Sequence, residues 1–376
     1  MGPLHGFKIL EIAGIGPGQF CGMLLADMGA DVIRLARSQD DTSGISVPPR
    51  FNLMNRSRTT LHADLKTERG KQLVLRLCEE ADALFEGFRP GVMERLGLGP
   101  GECMARNPKL VYGRMTGWGQ DGPLAKASGH DANYIALSGA LASIGEKGGP
   151  PIYPLNLVGD FGGGGLYLAM GILAALLEAG RSGMGQVIDA AMVDGAASLM
   201  TVFHGLAACG MWNGNRGSNI LDGGAPFVRP YRTSDDQYIV VSPLEGPFFE
   251  ELLELLQVDD LDPARQYDPA YWPVIEKRLE QVFAGATRAQ WCALLEGTDA
   301  CFAPVLELAE VAQHSHNRAR GNMVEVDGIE QPAPAPRFSR TPSEIHCPAG
   351  EQESAEKILE RWGLSSSRVN DGGACG

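Results

Sequence analysis

A chain of 376 residues, 44% of them hydrophobic and 21% charged, can bury a large core, either as two domains or as one elaborated α/β domain. Its formal net charge of −14, with both signs mixed along the chain, supplies no basic field to gather a polyphosphate backbone, which argues against nucleic acid as a partner. An anionic small ligand would have to be held by a few placed arginines and by backbone N–H groups, because the global field opposes it.

Phe7 to Ile12 reads as a buried strand, followed by the turn-rich Gly14-Ile15-Gly16-Pro17-Gly18 and an apolar-periodic helix through Met28. A second strand, Asp31 to Leu35, completes a βαβ opening, and the polar stretch Gln39 to Phe51 reads as a loop. The alternation continues with a helix from about Thr67 to Ala81 and strands at Ala83 to Glu86 and Leu110 to Arg114. A parallel α/β sheet is the economical reading. After Asp160 comes an apolar helix to about Ala179, then a short strand at Gln186 to Asp189 and a helix from about Ala190. From about 225 to 308 the character changes to a strand pair near Tyr231 to Val241 and amphipathic helices at Phe248 to Leu256 and Val274 to Phe283, as in a smaller domain. The expected organisation is a large domain over 1–200, a small one over 225–308 and a return segment over 320–363, with Pro332 to Arg337 as an extended linker. The tail after Leu364 is expected to be loosely ordered.

The eight cysteines are scattered, with no CxxC pair and no Cys/His ligand spacing, so they read as free thiols of a reducing compartment and no metal site is expected. The N-terminus shows neither a secretory nor an Arg-rich transit pattern. The apolar stretch Leu166 to Leu177 is interrupted by glycine and short for a bilayer, so no membrane span is expected and the expected location is cytoplasmic.

The first βα turn does not fit GxGxxG spacing, and the second strand ends on Arg34 and Arg37 where an NAD site would want an acidic residue. Those arginines are either solvated or hold the phosphate of a phosphorylated nucleotide such as NADP or CoA. Between Gly113 and Gly139, glycine and proline shape a loop that presents His130 just before a helical pattern. A histidine there titrates near neutral pH, although such residues are more often hydrogen-bonded structural groups than bases. Asp160 stands beside four consecutive glycines at a helix start, as an ordinary N-cap or as a carboxylate facing a ligand.

Taken together, GHDANY, LNLVGDFGGGG, GQVIDAAMVDG and LDGGAPF resemble the α-methylacyl-CoA racemases within the family III CoA-transferase group, from about Leu4 to about Arg340. The resemblance implies a Rossmann-like large domain, a smaller α/β domain and an interlocked homodimer that shares its active sites. It puts the catalytic histidine at His130, the catalytic aspartate at Asp160 and a supporting glutamate at Glu245, and it suggests CoA contacts from Arg37, the Ala63 backbone, Arg89 and Arg95. Racemases resembling this chain usually read Glu-Pro-Gln where it has Glu245-Gly246-Pro247. The implied reaction, in lipid metabolism, inverts the α-carbon of 2-methylacyl-CoA thioesters by moving one proton and needs no cofactor, CoA being part of the substrate. The alternatives are a CoA-transferase in which Asp160 attacks the thioester, an acyl-CoA-binding protein without catalysis, and an NADP oxidoreductase.

Overall fold

A computed structural model describes residues 1–37, 47–351 and 353–364. Most of the expected loop Gln39 to Phe51, and the tail after Leu364, lie outside the described residues; at the loop's end Pro49–Phe51 forms a short 3-10 turn. The chain forms two compact units. The first comprises Met1–Ser138, Leu155–Met200 and the chain from His316 onward, and the second comprises Gly139–Pro154 and Thr201–Ser315.

The first unit is built on six parallel strands: β1 (Lys8–Ile12), β2 (Asp31–Ala36), β3 (Thr59–His62), β4 (Ala83–Glu86), β5 (Val111–Thr116) and β6 (Val187–Ala191). Their order across the sheet is β3-β2-β1-β4-β5-β6, so the chain reverses direction of travel between β1 and β4. Alternate residues of each strand enter opposite layers. Ile9, Val32, Ala83, Phe85 and Val111 face the helices Pro17–Asp27 and Leu166–Ser182, with Cys21, Leu25, Leu168 and Ile172 packed among them. Leu10, Ile33, Leu35, Leu84 and Tyr112 face the helices Glu68–Glu80 and Ala355–Arg361, with Val74, Leu77, Ile358 and Trp362. Cover on both faces is why the strands read as near-continuous apolar runs.

β3 was not expected. It is an edge strand in which only Leu61 is buried, so it carries almost no apolar signal. The helical run Leu155–Ser182 is also longer than expected: at 28 residues it is long and apolar enough to cross a membrane by length and composition alone. Its inner side is part of the core of the first unit, through Leu168, Ile172 and Leu176.

The second unit has its own core of Phe227, Phe249, Phe283 and Trp291. A three-stranded antiparallel sheet, β7 (Arg229–Arg232), β8 (Tyr238–Val241) and β9 (Phe302–Pro304), packs with the helices Gly246–Leu255, Trp272–Phe283 and Arg288–Leu295. β9 adds a third strand to the expected pair. In the returning chain of the first unit, β10 (Met323–Val326) and β11 (Ile329–Pro332) form a hairpin. Buried Arg56 clamps it, donating to Gln331 Oε1 at 3.0 Å and to the Pro332 carbonyl at 2.7 Å while pairing with Asp27 at 2.7 Å.

Candidate active site

A doubly wound sheet offers its ligand crevice outside the carboxyl ends of the strands where the order reverses. Here that place lies beyond β1 and β4, and the turns after β1, β4 and β5 converge on it. In the turn after β1, Gly16 has φ +62°, and a Cβ on it would lie 3.1 Å from Asp160 Oδ2. Gly16 of the first βα turn therefore packs against the Asp160 carboxylate, a use unrelated to GxGxxG.

The loop after β5 is folded back by Trp118, whose ring meets Tyr134 edge-on with centroids 4.8 Å apart. It delivers His130 as the exposed N-cap residue of the helix Asp131–Leu137. The His130 backbone is extended, and its N–H donates to Asn133 Oδ1 at 3.0 Å.

Asp160 sits within a π-helical stretch, Val158–Gly165, that leads into the helix Leu166–Ser182. It is not the N-cap, a position held by Leu157. π-Turns of this kind are rare and concentrate at functional sites. Phe161 anchors the stretch on Phe20 with centroids 4.9 Å apart, and the glycine run packs closely on the helix Met192–Leu199. Two hydrogen bonds fix Asp160 itself. Asn156 Nδ2 donates to Oδ2 at 3.0 Å, and the Asp160 N–H donates to Asp131 Oδ2 at 2.6 Å. Burial pushes the Asp160 carboxyl above the usual carboxylate range and the Asp131 charge adds to this, while the Asn156 bond and the His130 charge oppose it. The Asp160 N–H, taken by Asp131, is not free to donate to a ligand.

Arg37, Ala63 and Arg89 follow the carboxyl ends of β2, β3 and β4. The Arg37 carbonyl bonds the His62 ring at 2.7 Å, and the Ala63 N–H donates to the Ala36 carbonyl at 2.9 Å. Arg89 is exposed and donates to Ser128 Oγ, joining the turn after β4 to the loop of His130. Arg95 lines a cleft of about 340 Å³ with Lys66, Thr67, Lys71 and Glu94. The β4 turn is held from beneath by Glu86, which accepts the Phe88 N–H at 2.6 Å and pairs with Arg114 at 3.1 Å. Glu245 belongs to the second unit, where it is the exposed N-cap residue of the helix Gly246–Leu255. Pro247 occupies that helix's first turn, where a missing N–H costs nothing.

CoA-transferase family III matches this chain over residues 4–352. The chain belongs to that family. It is 43% identical to mouse α-methylacyl-CoA racemase and 41% identical to the human one, in each case over 97% of this chain and 95% of the relative. Mouse succinyl-CoA:glutarate CoA-transferase is 28% identical, over 90% of this chain and 81% of the relative. Among solved structures, a CaiB/BaiF family protein from Brucella suis superposes with a TM-score of 0.79 at 27% identity, covering 96% of this chain and 99% of the other. The Mycobacterium tuberculosis protein Rv3272 gives 0.77 at 29% identity, covering 93% and 97%. Within this family III chain, sequence reasoning missed Asp131, Asn156 and Glu86. Asp131 carried one signal, an aspartate directly after the candidate histidine, but nothing in the sequence says that it points inward.

Proposed function

We propose that this chain is an α-methylacyl-CoA racemase, inverting the α-carbon of 2-methylacyl-CoA thioesters by 1,1-proton transfer through an enolate. One observation carries the reading: a histidine and an aspartate of raised proton affinity stand at one site, bridged through Asp131, the residue after His130, whose carboxylate accepts the Asp160 N–H at 2.6 Å. The thioester makes the α-hydrogen acidic by delocalising the carbanion onto the carbonyl oxygen. One group removes that proton and the other returns a proton to the opposite face, so one must start as free base and the other as acid. His130 and Asp160 take these roles, and they exchange them for the other enantiomer. Proton removal and return change no oxidation state, so the reaction calls for no redox cofactor.

Arg37, Arg89, Arg95 and the Ala63 backbone hold CoA, and Glu245 supports the acid/base pair. The same reading makes the chain a homodimer of the cytoplasm acting in lipid metabolism; the scattered cysteines suit a reducing compartment.

In deuterated water the protein should exchange the α-proton of either enantiomer of a 2-methylacyl-CoA and converge on a near-equal mixture without an acyl acceptor. Asp160→Asn and His130→Ala should each slow inversion by about 100-fold or more, and each should spare part of the exchange on a different enantiomer. If CoA instead moved between free acids without α-exchange, and Asp160→Asn alone abolished that, a CoA-transferase with Asp160 as nucleophile would replace this reading.

A further inference from the structure

Asp131 is the first residue of a helix, where an aspartate ordinarily lies in solvent and favours the helix dipole. This one is 2% exposed. Its Oδ2 reaches across to a backbone N–H 29 residues further along the chain, at Asp160, while its Oδ1 is buried with no hydrogen-bond partner among the described residues. The approach is possible because residue 159 is glycine: a Cβ there would lie 2.5 Å from Asp131 Oδ2 and 2.8 Å from its carboxyl carbon.

We propose that Asp131 is a positioning residue for the reaction, its buried carboxylate tying the backbone of Asp160 to the helix that begins at His130 and so fixing the two acid/base groups relative to each other. This rests on the racemase reading only for what the pair does. The tie is a matter of geometry. An asparagine at 131 would accept the same N–H through its amide oxygen without leaving a charge half-paired in the interior, which is unfavourable. The charge therefore has a use of its own: it stands beside a second carboxylate and favours the protonated form of that neighbour, the form in which Asp160 can return a proton. The groups acting on Asp160 are Asn156 and His130, which favour its charged form, and Asp131, which disfavours it. Tyr134, on the same helix as Asp131, is itself pushed up to about 12 by burial and by Asp160, so it stays neutral and does not compete.

Two variants separate the bond from the charge. Asp131→Asn keeps an acceptor for the Asp160 N–H and removes the charge; Asp131→Ala removes both. On the free protein, amide hydrogen exchange at Asp160 should accelerate in Asp131→Ala and remain near the parent rate in Asp131→Asn. Unchanged protection in Asp131→Ala overturns the tie, whatever the turnover assays show. In racemisation, Asp131→Ala should lose about 100-fold in kcat with little change in KM, as a misplaced acid/base group does. Asp131→Asn should keep more of the rate but move the Asp160 limb of the pH profile to lower pH. A residue that merely filled space would leave that limb in place, and a parental pH profile in Asp131→Asn overturns the role of the charge. If Asp131→Ala fails to fold, amide exchange at Asp160 in Asp131→Ser, whose shorter side chain does not reach that N–H, decides the tie, and the pH profile of Asp131→Asn decides the charge. Absence of α-exchange in the parent would sink the racemase reading, and the amide measurement would still decide the tie.

Discussion

Glu86 is a buried carboxylate that holds the turn after β4, and its surroundings make it measurable. Burial pushes its carboxyl up to about 7 and the nearby Glu94 charge adds a little, while the Phe88 N–H and Arg114 oppose the rise. Folding therefore takes up a proton at Glu86 between the ordinary 4.5 and about 7. In that window the native state binds more protons than the unfolded one, so this residue's contribution to stability is full below it and is lost as pH rises through it. Glu86→Gln should flatten that fall. Urea unfolding of parent and variant at either end of the window tests it, and an identical pH slope in both would refute the assignment. Because Glu86 supports the turn bearing Arg89, the variant should also bind CoA esters more weakly at every pH.

At the scale of elements, the π-helical stretch depends on backbone meeting backbone. A Cβ on Gly195 would lie 1.8 Å from the Gly163 carbonyl oxygen and 2.6 Å from its carbon, contacts that no flexible side chain can relieve. Gly195→Ala should cost about 3 kcal/mol and displace the stretch that carries Asp160, lowering activity more than stability alone explains. Gly180→Ala is the control, since nothing among the described residues lies within 4 Å of its added Cβ. It should gain up to about 1 kcal/mol from helix propensity. Equal melting temperatures for the two variants would contradict the close contact. These same elements show what a sequence can display. β1 and β4 are readable because sheet cover on both faces demands apolar runs, whereas β3 is hidden because its edge position demands only Leu61. His130 and Asp160 stand out through their motifs, and the four glycines announce a close approach. The π-turn and the inward Asp131 do not stand out, because each depends on a partner distant in the chain, and no periodicity encodes that pairing.

For the whole molecule, the helix Leu166–Ser182 poses a problem that one chain does not solve. Its inner side is in the core through Leu168, Ile172 and Leu176, yet Leu166, Met170 and Leu177 on the other side are 52%, 57% and 68% exposed. Leu157 and Leu199, in the same unit, add further exposed apolar surface at 56% and 44%. A helix apolar on all sides belongs inside a structure, and surface of this kind marks an interface. On the racemase reading proposed above, a second copy of the chain would cover this face, and the apolar contact would have to outweigh the repulsion between two chains of −14 charge. Sedimentation should therefore give twice the chain mass at the concentrations used for assay. Met170→Glu and Leu177→Glu, each placing a charge where apolar surface is to be desolvated, should shift the protein toward monomer and reduce activity in step with the dimer lost, while far-ultraviolet dichroism stays parental. An active parental monomer, or two charged variants that sediment as the parent does, would show that this helix face has another purpose.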